Sequence, residues 1–133
     1  MVSTIMMGQQ KWMPSKLVCV GRNYVEHIRE LNNTIPNELV LFIKPNSALS
    51  PSLISPQERA RFETEITFLI VNGKPFGVGL GFDLTLVDVQ QRLKSKGLPW
   101  EKSKAFDGSA VMSDFIPIPK STDNLWLQLK ING

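Results

Sequence analysis

Cysteine, histidine and long apolar runs are scarce in this sequence, and each shortage excludes a class of protein. There is one cysteine and one histidine among 133 residues. Because a lone cysteine cannot close an internal disulfide, a disulfide-stabilised secreted scaffold is excluded. Cys19 lies in an apolar run, where packing in a core is a better interpretation than nucleophilic chemistry. No window approaches the roughly 20 apolar residues of a membrane span, so we expect a soluble, cytoplasmic protein.

Charge of one sign is also not in large excess. The 15 Lys and Arg residues against 12 Asp and Glu residues give a formal net charge of +3, without a basic run. Nucleic acid and membrane surfaces are therefore not expected as partners. The small positive excess would suit a small anionic substrate, although solubility explains it equally well. The length and a hydrophobic share of 42% fit one globular domain.

The first half of the chain predicts two short strands and one helix. We expect residues 1–15 to be a flexible lead-in and Lys16–Val20 to form a buried strand. Residues 23–31 have apolar side chains at helical spacing. A second strand is predicted at 39–43, before a loop region rich in serine and proline at 46–58.

A hairpin is the clearest element of the sequence. Residues 62–71 alternate with period two, as in a half-buried strand, and Asn72-Gly73 is a dipeptide that two-residue hairpin turns prefer. A glycine-rich returning strand is predicted at 76–82. Apolar spacing then predicts a helix over 85–93, followed by a long loop.

The last residues predict one more strand and a turn. Apolar residues alternate over 125–131, and Asn132-Gly133 again has the preference for a hairpin turn. We therefore expect a partner strand to come next, and we interpret the chain as an incomplete domain. Short strands with a few brief helices indicate a β-rich α+β fold.

Three carboxylates could meet at one point of the predicted hairpin. Glu63 and Glu65 are two residues apart on a strand, so they point to the same face with Cα atoms roughly 6.5–7 Å apart. Asp83 follows the returning strand beside them. Three carboxylates without a cysteine pair favour Mg²⁺ or Mn²⁺. For the two glutamates alone an exposed strand face explains the pattern better, and with Asp83 the two interpretations are balanced.

Side chains suited to acid–base chemistry are few. His27 and Glu30 are three residues apart on the predicted helix, where Glu30 could orient the imidazole as a general base. A solvent-exposed pair without a role is the alternative. Lys104, in a loop with aromatic residues, and Lys44, before Pro45, could each stabilise an enolate or a carboxylate. Without further support, each is better explained as an ordinary lysine.

Five segments of the chain follow one another in the order of a known family's motifs. They are KLVCVGRNYVEHIRE at 16–30, LVLFIKPNSA at 39–48, FETEI at 62–66, GFDLT at 81–85 and KGLPWEKSKAFDGS at 96–109. In this order they resemble the fumarylacetoacetate hydrolase family, and most closely its acylpyruvate hydrolase and oxaloacetate decarboxylase branch. The resemblance covers about residues 16–133, and implies that these residues are the N-terminal portion of a catalytic domain.

The resemblance implies a mixed β-sheet roll with short helices, incomplete at the C-terminus. It implies that Glu63, Glu65 and Asp83 bind Mg²⁺ or Mn²⁺, and that a dyad of a histidine and a glutamate activates water. A lysine would hold the oxyanion or carboxylate of the substrate. The catalytic residues so implied are His27, Glu30 and Lys104, and the substrate-binding residues are Arg22, Asn23, Lys44 and Gln90.

The activity implied by the resemblance is cleavage of a carbon–carbon bond in a small 2-oxo acid, by a homodimer. An acylpyruvate, fumarylpyruvate or oxaloacetate would be the substrate. The alternatives are an isomerase or hydratase of 2-hydroxy-dienoates in aromatic catabolism, and a truncated, inactive fragment. Two departures from the family pattern bear on this choice. Members often carry arginine four residues after the metal-binding aspartate, where this chain has Val87, and their C-terminal Thr-Gly-Thr-Pro segment is not in the chain.

Overall fold

The computed structural model describes residues 2–23 and 37–133, and in them short strands outnumber helices. This composition confirms the predicted β-rich α+β class. The strands are β1 (Ile5–Met7), β2 (Gln10–Trp12), β3 (Lys16–Gly21), β4 (Val40–Pro45), β5 (Leu49–Ser50), β6 (Ala60–Val71), β7 (Lys74–Leu86), β8 (Ala110–Met112) and β9 (Ile116–Pro117). The helices are α1 (Val87–Ser95) and α2 (Glu101–Lys104), and Asn46–Ala48 forms a 3₁₀ turn.

The described strands belong to three sheets. β1 pairs with β2, and β3 pairs with β4, both antiparallel. The main sheet has the order β5-β8-β7-β6, and β9 also pairs with β7. It is mixed, because β5 runs parallel to β8 while the other pairs are antiparallel. Among the helices of the described ranges, none is long and apolar enough to cross a membrane.

The long hairpin of β6 and β7 confirms the strongest prediction from the sequence. Asn72 and Gly73 have φ angles of 50° and 74°. Both are left-handed, as the type I′ hairpin turn requires. From this turn the two strands pair along almost their whole length, with one irregularity near the turn. The register places Glu63 opposite Asp83 and therefore fixes the geometry of the candidate site.

The core lies on the face of the main sheet that carries Leu69. A cluster of buried residues surrounds it. A side chain at Gly79 would crowd this cluster, because its Cβ would lie 3.1 Å from the ring of Phe115, which is closer than ordinary van der Waals contact. The opposite face of β6 remains more open, with Phe68 and Ile70 exposed. The cluster consists of Ile5, Leu49, Leu69, Ala110 and Phe115.

The prediction that residues 1–15 form a flexible lead-in is wrong. β1 and β2 form a hairpin here, and Ile5 is buried in the core. Asn46 ties the segment down, because its side-chain amide donates to the carbonyls of Ser3 and Pro14 at 2.8 and 2.7 Å. Strands of three residues are too short to show an alternating pattern, so the sequence does not predict them.

Four further predictions need correction, and one falls outside the described residues. Residues 125–131 form no strand, because an alternating pattern is only a strand when a neighbour completes its hydrogen bonds. The helix predicted over 85–93 begins at Val87, since β7 continues to Leu86. The loop at 46–58 contains β5, and the loop before Gly108 contains α2. Residues 24–36, with most of the helix predicted at 23–31, lie outside the described residues.

Candidate metal and substrate site

Two carboxylates and one ammonium meet at the far end of the β6–β7 hairpin. Glu63 and Asp83 are cross-strand partners, so their side chains project from the same face of the sheet. Lys104 places its Nζ 2.7 Å from Glu63 Oε2 and 2.8 Å from Asp83 Oδ2. Its side chain is only 5% exposed. The three residues therefore form a buried, charge-assisted network rather than a solvated surface contact.

The short helix α2 delivers Lys104 to this point. Ser103 and Lys104 both donate their backbone N–H to the carbonyl of Trp100, at 2.8 and 3.0 Å. Lys104 follows at the last helical position and its ammonium lies 4.7 Å from the centre of the Phe42 ring on β4. The aromatic face and the two carboxylates together stabilise a cation in this position.

Glu63 is held ionised by its neighbours. Thr85, fully buried, donates its hydroxyl to Glu63 Oε2 at 2.7 Å, and Arg61 lies 3.4 Å from Oε1. Burial alone would raise the pKa of Glu63, but the charge and hydrogen bond of Lys104, then Thr85 and Arg61, outweigh it. The pKa therefore lies below its ordinary value, and the side chain is an anionic ligand at neutral pH.

Lys44 lies beneath this network, with 1% of its side chain exposed. Its Nζ is 2.8 Å from Asp83 Oδ1, and it donates to the carbonyls of Leu84 and Ser109 and to that of Lys104. Burial, and then the charge of Lys104, lowers the pKa of Lys44 against the opposing effect of Asp83. Because protein oxygens take up its three N–H donors, the predicted contact between Lys44 and a substrate does not fit this placement.

The residues present fit a hard divalent cation. Two carboxylate oxygens, from Glu63 and Asp83, already converge on a single cationic point, and every donor is oxygen. Glu65 lies on the same strand face, half-buried and opposite Gly81. As the side chains are placed, residues 2–23 and 37–133 hold no group of three acidic, histidine or cysteine side chains close enough to bind one ion. Two of the predicted ligands are therefore together, and Glu65 is next to them along the strand.

A cleft of about 510 Å³ opens beside the network. Its walls are strand β4, with Val40 and Phe42, and the segment before α2, with Trp100. Lys104 lines the cleft and also contacts both carboxylates, so it joins the two parts of the site. The volume is in the range of pockets for small molecules.

Positively charged side chains lie near Trp100, one of the residues that line the cleft. Lys94 lies 4.9 Å from the centre of the Trp100 ring. Burial, and then the positive charges of Arg22, Arg61 and Lys104, lower the pKa of Lys94. Several cations are therefore close enough to influence one another, which favours an anionic ligand on this side.

The remaining predicted site residues are Arg22, Asn23, Gln90, His27 and Glu30. Arg22, with a left-handed φ of 52°, and Asn23 follow the end of β3 and are exposed. Gln90 is buried in α1, the helix that follows β7. His27 and Glu30 lie outside the described residues.

The structure adds site residues that the sequence interpretation missed. Thr85 shares the strand parity of Asp83, so its place beside Glu63 could have been inferred from period two. Ser109 donates its hydroxyl to the carbonyl of Lys104 at 2.9 Å, and no local sequence pattern predicts this contact. Phe42 contacts the Lys104 ammonium across two elements that are distant in sequence.

Comparison with known proteins assigns most of the chain to one family. Residues 16–133 match the family described as Fumarylacetoacetate (FAA) hydrolase C-terminal. Oxaloacetate tautomerase YcgM of Escherichia coli is 40% identical over 138 aligned residues, which cover 90% of this chain and 63% of that protein. The chain thus spans less than two thirds of the length of this relative.

Two solved structures have the same fold. A putative fumarylacetoacetate isomerase/hydrolase from Oleispira antarctica superimposes with a TM-score of 0.81 at 38% identity, covering 92% of this chain and 62% of that one. Fumarylpyruvate hydrolase from Pseudomonas aeruginosa, in complex with Mn²⁺ and pyruvate, gives a TM-score of 0.78 at 28% identity, covering 87% and 60%. The predicted mixed β-sheet roll is therefore confirmed.

Proposed function

We propose that this chain, which belongs to the fumarylacetoacetate hydrolase family, supplies the cation-binding and enolate-binding part of an enzyme that acts on a small 2-oxo acid. The observation that carries the proposal is the convergence of Glu63 Oε2 and Asp83 Oδ2 on one buried ammonium beside an open cleft. The Mn²⁺ and pyruvate bound to the Pseudomonas aeruginosa fumarylpyruvate hydrolase support it.

Glu63, Glu65 and Asp83 would hold Mg²⁺ or Mn²⁺. When bound, such an ion supplies Lewis-acid polarisation of the 2-oxo carbonyl and carboxylate oxygens of the substrate. Thr85 keeps Glu63 Oε2 oriented toward the same point as Asp83 Oδ2, and the low pKa of Glu63 keeps it anionic. The three ligands are all oxygen donors, which suits these two ions better than zinc.

Lys104 would stabilise the negative charge that develops on the substrate oxygen. Its ammonium lies at the junction of cleft and carboxylates, in a site largely shielded from water. A fixed positive charge in such a place stabilises an enolate more than it stabilises the neutral ketone, and so lowers the barrier. Arg22, Asn23 and Gln90 would shape the pocket, in keeping with the family resemblance.

The reaction that we propose is the cleavage of a carbon–carbon bond. For an acylpyruvate or fumarylpyruvate, His27, oriented by Glu30, would take a proton from water as it attacks the distal carbonyl. The bond to the pyruvoyl carbon then breaks, and its electron pair becomes the enolate of pyruvate beside Lys104. For oxaloacetate, loss of carbon dioxide generates the same enolate without attack by water.

Keto–enol tautomerisation of oxaloacetate is the second candidate. It is favoured by the relative that is 40% identical, since that protein is an oxaloacetate tautomerase. The same enolate would lie beside Lys104, and only proton transfer at carbon would be needed. This candidate is an isomerase, like the dienoate isomerases of aromatic catabolism, but acts on a different substrate.

Parallel assays of one substrate separate the two reactions. The chain is incubated with oxaloacetate and Mn²⁺ while the decay of the enol absorbance and the release of pyruvate are followed together. Pyruvate release that is faster than in the same mixture without the chain indicates cleavage. Enol decay that is faster than in that mixture, with no release of pyruvate, indicates tautomerisation. Undiminished turnover in EDTA would contradict the metal assignment. Mn²⁺ binding with neither reaction, on acetylpyruvate as well as oxaloacetate, would identify an inactive fragment.

The same proposal includes a cytoplasmic homodimer. Support for association comes from the exposed apolar side chains on one face of the β3–β4 sheet, with Val18 56% and Leu41 55% exposed. Contiguous apolar surface of this kind is typical of an interface. Sedimentation of the chain at several concentrations tests this, since a monomer at every concentration would argue against it.

A further inference from the structure

Lys44 is the most buried charged side chain among the described residues, and the proposed chemistry gives it no task. It lies near the end of β4 with a relative exposure of 1%. A buried ammonium is costly unless oxygen atoms surround it. Its surroundings therefore show what the fold uses it for.

The partners of Lys44 divide into two groups. The first is Asp83, whose Oδ1 lies 2.8 Å away. The second is backbone, the carbonyls of Leu84 at 3.2 Å, of Ser109 at 3.0 Å and of Lys104. All of these partners are groups of the protein itself. The ammonium thus acts inside the protein, between β7 and the segment 104–109.

The segment 104–109 carries the lysine of the proposed site. Lys44 binds the carbonyls at both of its ends, and the Ser109 hydroxyl donates to the Lys104 carbonyl at 2.9 Å. These bonds fix the backbone from which the Lys104 side chain reaches Glu63 and Asp83. Loss of Lys44 would therefore free both the segment 104–109 and the carboxylate of Asp83.

Asp83 is oriented by a division of its two oxygens. Oδ1 lies 2.8 Å from the Lys44 ammonium, and Oδ2 lies 2.8 Å from the Lys104 ammonium. Oδ1 is held by its ion pair with Lys44 and not by a well-aligned hydrogen bond, and Oδ2 is the oxygen directed at Lys104 and the site. A carboxylate held in this way can offer one oxygen to a cation without rotating.

We propose that Lys44 is a positioning residue that holds Asp83 with Oδ2 directed at the cation site and fixes the segment that carries Lys104. This inference rests on the proposed function, because the proposed function makes Asp83 a ligand of the cation. It replaces the substrate contact expected for Lys44 from the sequence.

The test is a double-mutant cycle read out as Mn²⁺ affinity, measured from the electron paramagnetic resonance signal of free Mn²⁺. The chains compared are the native chain, Lys44→Met, Asp83→Asn and the double variant. Lys44→Met is expected to weaken binding roughly 10- to 100-fold, as loss of a residue that orients a ligand does. In the Asp83→Asn background the same change should have less than about a twofold effect, because the carboxylate to be oriented is gone.

Leu93→Ala is the matched control for loss of stability. Leu93 is buried in α1 and contributes no polar group to the site. Its truncation should lower the unfolding temperature and leave Mn²⁺ affinity unchanged. Equal weakening by Leu93→Ala and Lys44→Met, or equal effects of Lys44→Met with and without Asp83, would overturn the inference. Absence of Mn²⁺ binding by the native chain would instead overturn the proposed function.

A measurement on the native chain covers the case in which Lys44→Met does not fold. The Nζ of Lys44 is observed by ¹⁵N NMR and assigned through its side-chain carbons. Its ammonium protons should exchange slowly with solvent, and addition of Mg²⁺ should shift the resonance while slow exchange persists. Rapid exchange, or a resonance that oxalate shifts and Mg²⁺ does not, would show that Lys44 contacts the ligand and does not position Asp83.

Discussion

Lys104 and Glu63 are 41 residues apart in the chain, and their Nζ and Oε2 atoms are 2.7 Å apart in the fold. The same ammonium is 2.8 Å from Asp83 Oδ2. One positive charge thus neutralises two carboxylates from neighbouring strands at the point where a divalent cation is proposed to bind. Lys104 therefore has two roles that can be separated by experiment, as counter-ion and as catalytic group.

Replacement of Lys104 by methionine should make stability depend on metal. Without the ammonium, Glu63 and Asp83 repel each other in a buried position, and we expect a loss of about 3–5 kcal/mol, the usual result of removing one partner from a buried ion pair. Mn²⁺ should restore more stability to Lys104→Met than it adds to the native chain. Thermal unfolding with and without MnCl₂ measures both quantities.

Lys102→Met is the control, since Lys102 is exposed on the same short helix. It should unfold like the native chain in both conditions. An equal response of all three chains to Mn²⁺ would show that Lys104 and the cation do not share these carboxylates.

Thr85 and Thr64 provide a matched pair on neighbouring strands. Thr85→Val removes the hydroxyl that donates to Glu63 Oε2 and should cost about 1–3 kcal/mol while weakening Mn²⁺ binding. The hydroxyl of Thr64 is buried and has no hydrogen-bond partner among the described residues, so Thr64→Val should be neutral or stabilising. Urea unfolding and Mn²⁺ titration check both variants. If Thr64→Val is destabilised while Thr85→Val is unaffected, the roles assigned to the two hydroxyl groups are wrong.

Cys19 should react with iodoacetamide only at high pH. Burial, and then the negative charge of Asp83, raises the pKa of Cys19 to about 11. Since the raised pKa keeps the thiol protonated at pH 8, about one molecule in a thousand carries the reactive thiolate there. The alkylation rate of the folded chain should therefore rise until about pH 11.

The chain unfolded in urea is the control for Cys19, because its thiol has an ordinary pKa of about 8.5. With that pKa about a quarter of the thiol is ionised at pH 8, so its alkylation should be roughly two-hundredfold faster there and should level off above about pH 9.5. Levelling at the same pH in the folded chain would show that the thiol is solvated.

The hairpin that carries the site could be predicted because its signals are local. Alternation along β6 and the Asn72-Gly73 turn determine the register, and the register alone puts Glu63 opposite Asp83. The period of two along β6 also predicts Glu65 on the same face. These features depend on neighbours within one hairpin, which the sequence contains in full.

The rest of the site depends on packing between distant segments. Nothing near Lys44 indicates that its ammonium contacts Asp83, since its partners come from 39 to 65 residues further along the chain. The helix that presents Lys104 has four residues, too few for a periodic pattern. The strand predicted at 125–131 does not form, because an alternating pattern does not by itself supply a neighbouring strand to pair with.

Mn²⁺ binding to the native chain and to Asp83→Asn tests the central claim most directly. Titration followed by electron paramagnetic resonance should show one tight site in the native chain and a loss of more than about tenfold in affinity in Asp83→Asn. Glu58→Gln, which changes an exposed acid, should bind like the native chain. Equal Mn²⁺ affinity in all three chains would contradict a cation site at Glu63 and Asp83.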